Sequence, residues 1–122
     1  EENIGRSLRL ILEREGYVVN TLLSAAAFAQ APRADLYLLD VRLPDASGLD
    51  LLRRILTEQP GTPVIMISGH STISDAMDAV RAGAIDFLEK PLARERVLLA
   101  VARALEQTRL TEENRQLREA LG

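Results

Sequence analysis

Cysteine and tryptophan are absent from the sequence, and only 3% of its 122 residues are aromatic. The absence of cysteine excludes disulfides and thiolate metal sites, and it is typical of proteins that work in a reducing compartment. Because aromatic rings are so few, the core is predicted to consist mainly of Leu, Ile, Val and Ala. The hydrophobic share of 47% is high enough, and the chain long enough, for one domain with a single core.

Strong basic charge and long apolar runs are also lacking. The net charge is −3 and the sequence pI is about 5.2, which argues against a nucleic-acid-binding surface. No apolar run approaches the length of about 20 residues that a membrane-spanning helix needs, and the chain does not open with a secretory signal pattern. We therefore expect a soluble, cytoplasmic domain that contacts neither nucleic acid nor a membrane directly.

The stretch from Leu36 to Gly48 is the most informative part of the sequence. Its four apolar residues at 36–39 are typical of a strand that is buried on both faces of a parallel sheet. The run ends on Asp40, and the carboxyl ends of such strands are where open α/β sheets bind their ligands. Pro44 and Gly48 then indicate a turn, and leucines at helical spacing follow it.

Strands and helices are predicted to alternate along the rest of the chain. Gly16 is predicted to end the first helix and Ser24 to cap the second, while Met66 and Met77 are predicted to fill the core. The alternation is typical of a doubly wound parallel sheet with helices on both faces. The predicted helices cover residues 4–14, 24–30, 49–56, 75–81 and 93–121, and the predicted strands cover residues 17–23, 36–40, 64–68 and 85–88.

Three of the predicted strands lead into polar side chains. Asp40 and Ser68 end two of them, and Lys90 follows closely after Leu88. A carboxylate can attack a phosphoryl group, a hydroxyl can bind the transferred oxygens, and an ammonium can neutralise the product. Each residue taken singly also fits an ordinary turn, loop or surface role. Their joint position at one edge of the sheet favours a site for phosphoryl chemistry.

These residues resemble those of a known family, the receiver domains of two-component response regulators. The resemblance extends from Ile4 to about Leu105 and rests on the segments 38–48, 66–70 and 82–91. It implies a flavodoxin-like fold, a doubly wound parallel sheet of five strands in the order 2-1-3-4-5. It also implies a regulatory phosphoacceptor domain rather than an enzyme that acts on a separate substrate.

The resemblance also assigns roles to individual residues. It implies that Asp40 accepts a phosphoryl group from a histidine kinase and that Asp40 and the main-chain carbonyl of Arg42 help to hold Mg²⁺. Lys90 would pair with the phosphate, and the peptide bond that follows it is usually cis in the family. Ser68 would be the switch hydroxyl and Phe87 the switch aromatic.

One part of the family pattern has no counterpart in the 122 residues. The family begins with an apolar strand that ends in two acidic residues, which hold Mg²⁺, and by resemblance Glu1 lies just after that pair. The strand is central in the family, so its neighbours would lack a ladder partner without it. Asp40 alone concentrates little negative charge, so we expect the chain that starts at Glu1 to bind Mg²⁺ poorly.

The sequence also resembles receivers of one class in particular, the nitrogen-regulation class of alternative-sigma-factor activators, which carry an ATPase and a DNA-binding domain downstream. Residues 1–105 are interpreted as the receiver and 106–122 as an extended helix that forms a coiled-coil dimerisation linker. The seam residues of this helix are spaced alternately by four and three positions, and one of them is polar. This spacing is typical of a parallel homodimer. The alternative is an overlong end helix that is exposed to solvent. The seam residues are Leu110, Asn114, Leu117 and Leu121.

Two other functions are alternatives to phosphorylation. An aspartate-dependent phosphatase would need a second Asp two residues after Asp40, where this sequence has Arg42. A receiver-like interaction module that dimerises without turning over phosphate is favoured by the missing acidic pair, but the combination of Asp40, Ser68 and Lys90 opposes it. His70, the single histidine, is predicted to stand in a loop without a catalytic Ser or Cys partner and is interpreted as part of the switch loop.

Overall fold

A computed structural model describes residues 2–69 and 73–122. Glu1 and His70, for which the sequence predicted roles, lie outside these residues. The elements in chain order are α1 (Glu2–Glu13), α2 (Ala25–Phe28), β1 (Tyr37–Asp40), α3 (Gly48–Glu58), β2 (Val64–Ser68), α4 (Ile73–Arg81), β3 (Asp86–Glu89) and α5 (Arg94–Leu121).

In the part of the chain that the structure describes, the sheet consists of three parallel strands in the order β1-β2-β3. All five residues of the central strand β2 are buried, as expected for a parallel strand covered on both faces. In the register of the sheet, Asp40 lies beside Ile67, and Ser68 lies beside Glu89. The carboxyl ends of the strands therefore meet at one edge.

The core consists of two clusters, one on each face of the sheet. Side chains of β2 alternate between them, so that Ile65 and Ile67 join one cluster and Val64 and Met66 join the other. The first cluster includes buried residues of α1 and α5, and the second includes those of α2, α3 and α4. This layering confirms the predicted α/β architecture with helices on both faces.

The predicted strand at residues 17–23 is wrong, because this segment is irregular. Val18 is 94% exposed, and Leu22 and Leu23 are also exposed. A strand needs a ladder partner, and within residues 2–69 and 73–122 the strand β1 pairs only with β2. Among the described residues the sheet thus has three strands, where the family pattern implies five.

A groove of about 670 Å³ lies between the 17–23 segment and β1. Its walls are largely apolar, and they include core residues of α1 and α5 as well as of the sheet. Examples of these wall residues are Leu8, Leu12, Val19, Leu38 and Val101. The valines and leucines at residues 17–23, which suggest a strand by composition, line this groove.

Two predicted helix ends are confirmed, and one predicted core residue is wrong. Gly16 has φ +92°, a left-handed conformation that suits glycine at the end of α1. The hydroxyl of Ser24 accepts a hydrogen bond from the Ala27 N–H at 3.2 Å and caps α2. Met77, in contrast, is 47% exposed, because α4 turns the small side chain of Ala79 into the core instead.

The last helix, α5, changes character along its length. Its first part is buried against α1 and the sheet through Val97, Ala100, Val101 and Ala104. From Arg109 to its end every residue is exposed. Within the described ranges, no helix has both the length and the apolar character that crossing a membrane requires.

Candidate functional site

An ion pair joins the ends of two strands at the carboxyl edge of the sheet. The Lys90 ammonium lies 2.9 Å from Oδ2 of Asp40, although the two residues are 50 positions apart in the sequence. Their side chains are only 21% and 22% exposed, respectively. The pair is therefore accessible to a reactant but partly shielded from water, where charges act on each other more strongly than at an open surface.

The second oxygen of Asp40 is held by the backbone. The Arg42 N–H donates a hydrogen bond of 2.9 Å to Oδ1 of Asp40. With one oxygen facing this amide and the other facing Lys90, the carboxylate has a fixed orientation. Its position is also anchored by the neighbouring strand, because the Val41 N–H donates to the Ile67 carbonyl at 2.9 Å.

Gly48 allows the 41–47 loop, which leads from β1 to α3, to turn closely against β1. Its N–H donates to the Val41 carbonyl at 2.8 Å. A Cβ added at Gly48 would overlap the Asp40 carbonyl oxygen and would lie 2.7 Å from the Val41 Cα. Only glycine fits at this point, and Ser47 then caps α3 by accepting a hydrogen bond from the Leu49 N–H.

Ser68 and Phe87 lie on the neighbouring strands β2 and β3, respectively. Ser68 is buried at the end of β2, and its carbonyl accepts a hydrogen bond of 2.8 Å from the Lys90 N–H. Phe87, three residues before Lys90, is half-buried and packs against the cluster that contains Met66. The bond between Lys90 and Pro91 is cis, as the resemblance implied.

This arrangement agrees with a comparison against known families. A family model described as the response regulator receiver domain matches residues 1–102. The chain belongs to this family. Its curated relatives include the nitrogen assimilation regulatory protein NtrX of Azorhizobium caulinodans, which is 42% identical over 124 residues, a match that covers 98% of this chain and 27% of the relative. The chain spans about a quarter of the length of relatives such as NtrX and about half the length of others.

Solved structures show the same receiver fold. NtrX from Brucella abortus in complex with ADP has a TM-score of 0.88 at 40% identity, and the match covers 96% of this chain and 28% of that chain. The beryllofluoride-activated NtrC4 receiver domain dimer has a TM-score of 0.81 at 36% identity, with 88% and 92% of the two chains covered. The flavodoxin-like fold and the response-regulator role predicted from the sequence are thereby confirmed.

Mg²⁺ is the metal that the resemblance implies for this site. Receiver domains generally bind Mg²⁺ at the phosphorylation site. Among the residues that the structure describes, no group of three Asp, Glu, His or Cys side chains is placed to hold a metal. Asp40 is already paired with Lys90, and the Arg42 carbonyl would add one neutral oxygen. These two groups alone do not meet the need of Mg²⁺ for concentrated negative charge.

Asp45 is a receiver residue whose role the sequence did not reveal. Its carboxylate accepts hydrogen bonds from the Ala25 N–H at 2.8 Å and the Ala26 N–H at 3.0 Å. These amides, which lie 20 and 19 residues earlier in the chain, lower the pKa of the Asp45 carboxyl. Nothing in the local sequence indicates so distant a partner, and the sequence alone predicts an ordinary turn residue at this position.

The four predicted seam residues lie on the exposed part of α5. Leu110, Leu117 and Leu121 are 47%, 64% and 89% exposed, and Asn114 is exposed as well. Arginines form ion pairs with glutamates one turn away along the same stretch, at N–O distances of 2.5–2.6 Å. An apolar seam between charged flanks is what the coiled-coil prediction requires, and dimerisation through it stays a prediction.

Proposed function

We propose that Asp40 is the phosphoacceptor of this receiver and that it takes its phosphoryl group from a phosphohistidine of a histidine kinase. The observation that carries the proposal is the 2.9 Å ion pair between the Asp40 carboxylate and the Lys90 ammonium. An acidic side chain at this edge, held by a cation from the next-but-one strand, is suited to accept a group that brings further negative charge.

The groups at this edge account for the transfer step. An Asp40 oxygen attacks phosphorus, the bond from phosphorus to the kinase imidazole nitrogen breaks, and that nitrogen takes up a proton. The Lys90 ammonium then neutralises the phosphoryl oxygens, and the Ser68 hydroxyl donates a hydrogen bond to them. Ser68 and Phe87 move in response to phosphorylation and so transmit the change to the nearby surface.

Mg²⁺ is part of the proposal, with an incomplete ligand set. Asp40 and the main-chain carbonyl of Arg42 contribute two of its oxygen ligands, and phosphate oxygens and waters contribute others. The metal offsets negative charge at the phosphorylation site. The alternative function is an interaction module that dimerises without turning over phosphate.

The proposed output is control of dimerisation and of downstream domains. Residues 1–105 form the receiver, and residues 106–122 link two copies in parallel through the seam of Leu110, Asn114, Leu117 and Leu121. The solved NtrC4 receiver is a dimer, and the solved NtrX chain, of which this domain matches 28%, was in complex with ADP. These relatives support a regulator with an ATPase and a DNA-binding domain after the receiver.

The phosphoacceptor is identified by labelling the full-length protein with acetyl phosphate and Mg²⁺ and mapping the modified residue by mass spectrometry. We expect label on Asp40 and complete loss of that label in Asp40→Asn, because an amide is not a nucleophile toward phosphorus. Asp50→Asn is the matched control, because Asp50 is an exposed carboxylate on α3 with an ion pair of its own. It should be labelled as well as the wild type.

Two outcomes would contradict the proposal. Label on another residue, or label that survives Asp40→Asn, would rule out Asp40 as the acceptor. A wild-type protein that takes no label but associates in light scattering would instead support the interaction module.

A further inference from the structure

The carboxylate of Asp45 connects two parts of the receiver that are distant in the sequence. Its two oxygens accept hydrogen bonds from the Ala25 N–H at 2.8 Å and the Ala26 N–H at 3.0 Å. We refer to this pair of bonds as the Asp45 bridge. Because a carboxylate is charged, bonds of this kind are stronger than those between neutral groups.

The short helix α2 depends on outside groups for its first amides. With only four residues, it cannot supply internal partners for the N–H groups of its first turn. The Asp45 bridge satisfies two of them, and the Ser24 hydroxyl satisfies a third by accepting from the Ala27 N–H. At its other end α2 is fixed by the buried ring of Phe28, which meets the Tyr37 ring edge-on at 5.6 Å.

From Asp45 the connection continues to the phosphoacceptor through the 41–47 loop. The Leu43 N–H donates to the Ala46 carbonyl at 3.2 Å, so the turn that contains Asp45 is closed. Arg42 and Ser47 form an antiparallel bridge across the base of the loop. The Arg42 N–H in turn donates to Oδ1 of Asp40 at 2.9 Å.

We propose that Asp45 is a positioning residue for phosphorylation, because its bridge to α2 holds the 41–47 loop in the conformation that orients the Asp40 carboxylate. The inference rests on the proposed role of Asp40 as phosphoacceptor. Asp45 itself does not touch the reacting atoms. The Ala25 and Ala26 amides lower the pKa of Asp45, which agrees with a carboxylate that is charged and bound at neutral pH.

The test compares four variants of the full-length protein. Asp45→Ala removes the bridge, and Asp45→Asn keeps one oxygen that can accept from an α2 amide. Ser24→Ala weakens α2 by a different bond and leaves the loop connection intact. Asp50→Ala removes an exposed carboxylate nearby without touching α2 or the loop.

The rate of Asp40 labelling is measured at several concentrations of acetyl phosphate, and the exchange of the Arg42 amide is followed by NMR. We expect Asp45→Ala to lower the saturated labelling rate by about tenfold, because small displacements of a reacting group are costly, and to speed Arg42 exchange. Asp45→Asn should give a labelling rate and an Arg42 exchange rate between those of the wild type and Asp45→Ala. Ser24→Ala and Asp50→Ala should match the wild type in labelling rate and in Arg42 exchange. Destabilisation of α2 alone would not explain an effect of Asp45→Ala that Ser24→Ala lacks.

Equal labelling rates and equal Arg42 exchange in the wild type and Asp45→Ala would overturn the inference. So would a loss of rate in Ser24→Ala as large as that in Asp45→Ala, because the effect would then come from α2 stability alone. If the wild type takes no label on Asp40, the proposed function fails separately. Arg42 exchange then still decides whether the Asp45 bridge holds the 41–47 loop, since faster exchange in Asp45→Ala supports this structural part of the inference and unchanged exchange overturns it.

Discussion

The phosphorylation edge and the exposed part of α5 hold their charges in opposite ways. At the edge, a single ion pair joins Asp40 to Lys90 across 50 residues of sequence, and both side chains are about one-fifth exposed. On α5, Arg109 and Arg115 each pair with glutamates three or four residues away, and all of these side chains are at least half exposed.

The difference indicates what each kind of pair can do. Exposed ion pairs one helical turn apart are screened by water and salt, so they contribute little to the stability of the fold. They do support the helical conformation of a long, solvated helix. A pair fixed by two strand ends has a geometry set by the fold rather than by flexible side chains. Only the second arrangement can orient a reacting group, so chemistry is expected at the edge and assembly along the helix.

The largest effect is expected from a change that breaks the backbone at the edge. In Gly48→Ala the new Cβ would overlap the Asp40 carbonyl oxygen, so the loop must move away from β1. We expect a loss of about 3 kcal/mol in the free energy of unfolding, at the upper end for an overpacked site, measured by urea denaturation. Labelling of Asp40 should fall as well, because the 41–47 loop also holds Arg42.

Gly61→Ala is the matched control for this prediction. Gly61 has φ +87°, and no atom of the described residues lies within 4 Å of the point where a Cβ would be added. Alanine there therefore costs only backbone strain of about 1 kcal/mol. Equal losses in the two variants would mean that the close approach of Gly48 to Asp40 is unimportant.

The second effect concerns assembly and leaves the edge untouched. Replacing both Leu110 and Leu117 by Ala removes apolar area from the predicted seam. Since both side chains are largely exposed in the single chain, the unfolding of the monomer should change by less than about 0.5 kcal/mol. Self-association, measured by light scattering across a concentration series, should weaken strongly.

Leu99→Ala provides the control for the seam prediction. Leu99 is 46% exposed on the same helix but lies before the seam. It should leave association through the seam unchanged. If the double variant associates as well as the wild type at every concentration, residues 106–122 are a solvated helix and the dimerisation linker is wrong.

The sequence predicted those elements whose signal is local or follows from the order of strands. The strand Val64–Ser68 has the predicted bounds, because its apolar run is bounded by clear loop residues. The approach of Asp40 to Lys90 followed from parallel strands ending at one edge. These inferences needed no knowledge of side-chain packing.

What the sequence could not predict depends on partners far along the chain. Val18 and its neighbours have strand-like composition, but a strand forms only where another strand pairs with it. Met77 has the spacing of a core residue, whereas the small Ala79 faces the core instead. The Asp45 bridge spans about twenty residues, so no short window of the sequence contains both of its ends.

The smallest expected effect concerns the exposed ion pairs of α5 and depends on pH. Hydrogen bonds from Arg109 and Arg115 lower the pKa of Glu106 and Glu112, respectively, from 4.5. Lowered pKa values mean that these pairs stabilise the helix above the unfolded-state pKa, and that the contribution disappears as the pH falls through the lower folded-state pKa. We therefore expect the Asn114 ¹³Cα shift to move slightly away from helical values below about pH 4.

Arg109→Gln together with Arg115→Gln should remove this acid step, as should 1 M salt through screening. An acid step that is the same in the wild type, in the double variant and in high salt would show that the arginines do not hold the exposed part of α5, and that its helicity arises from other residues.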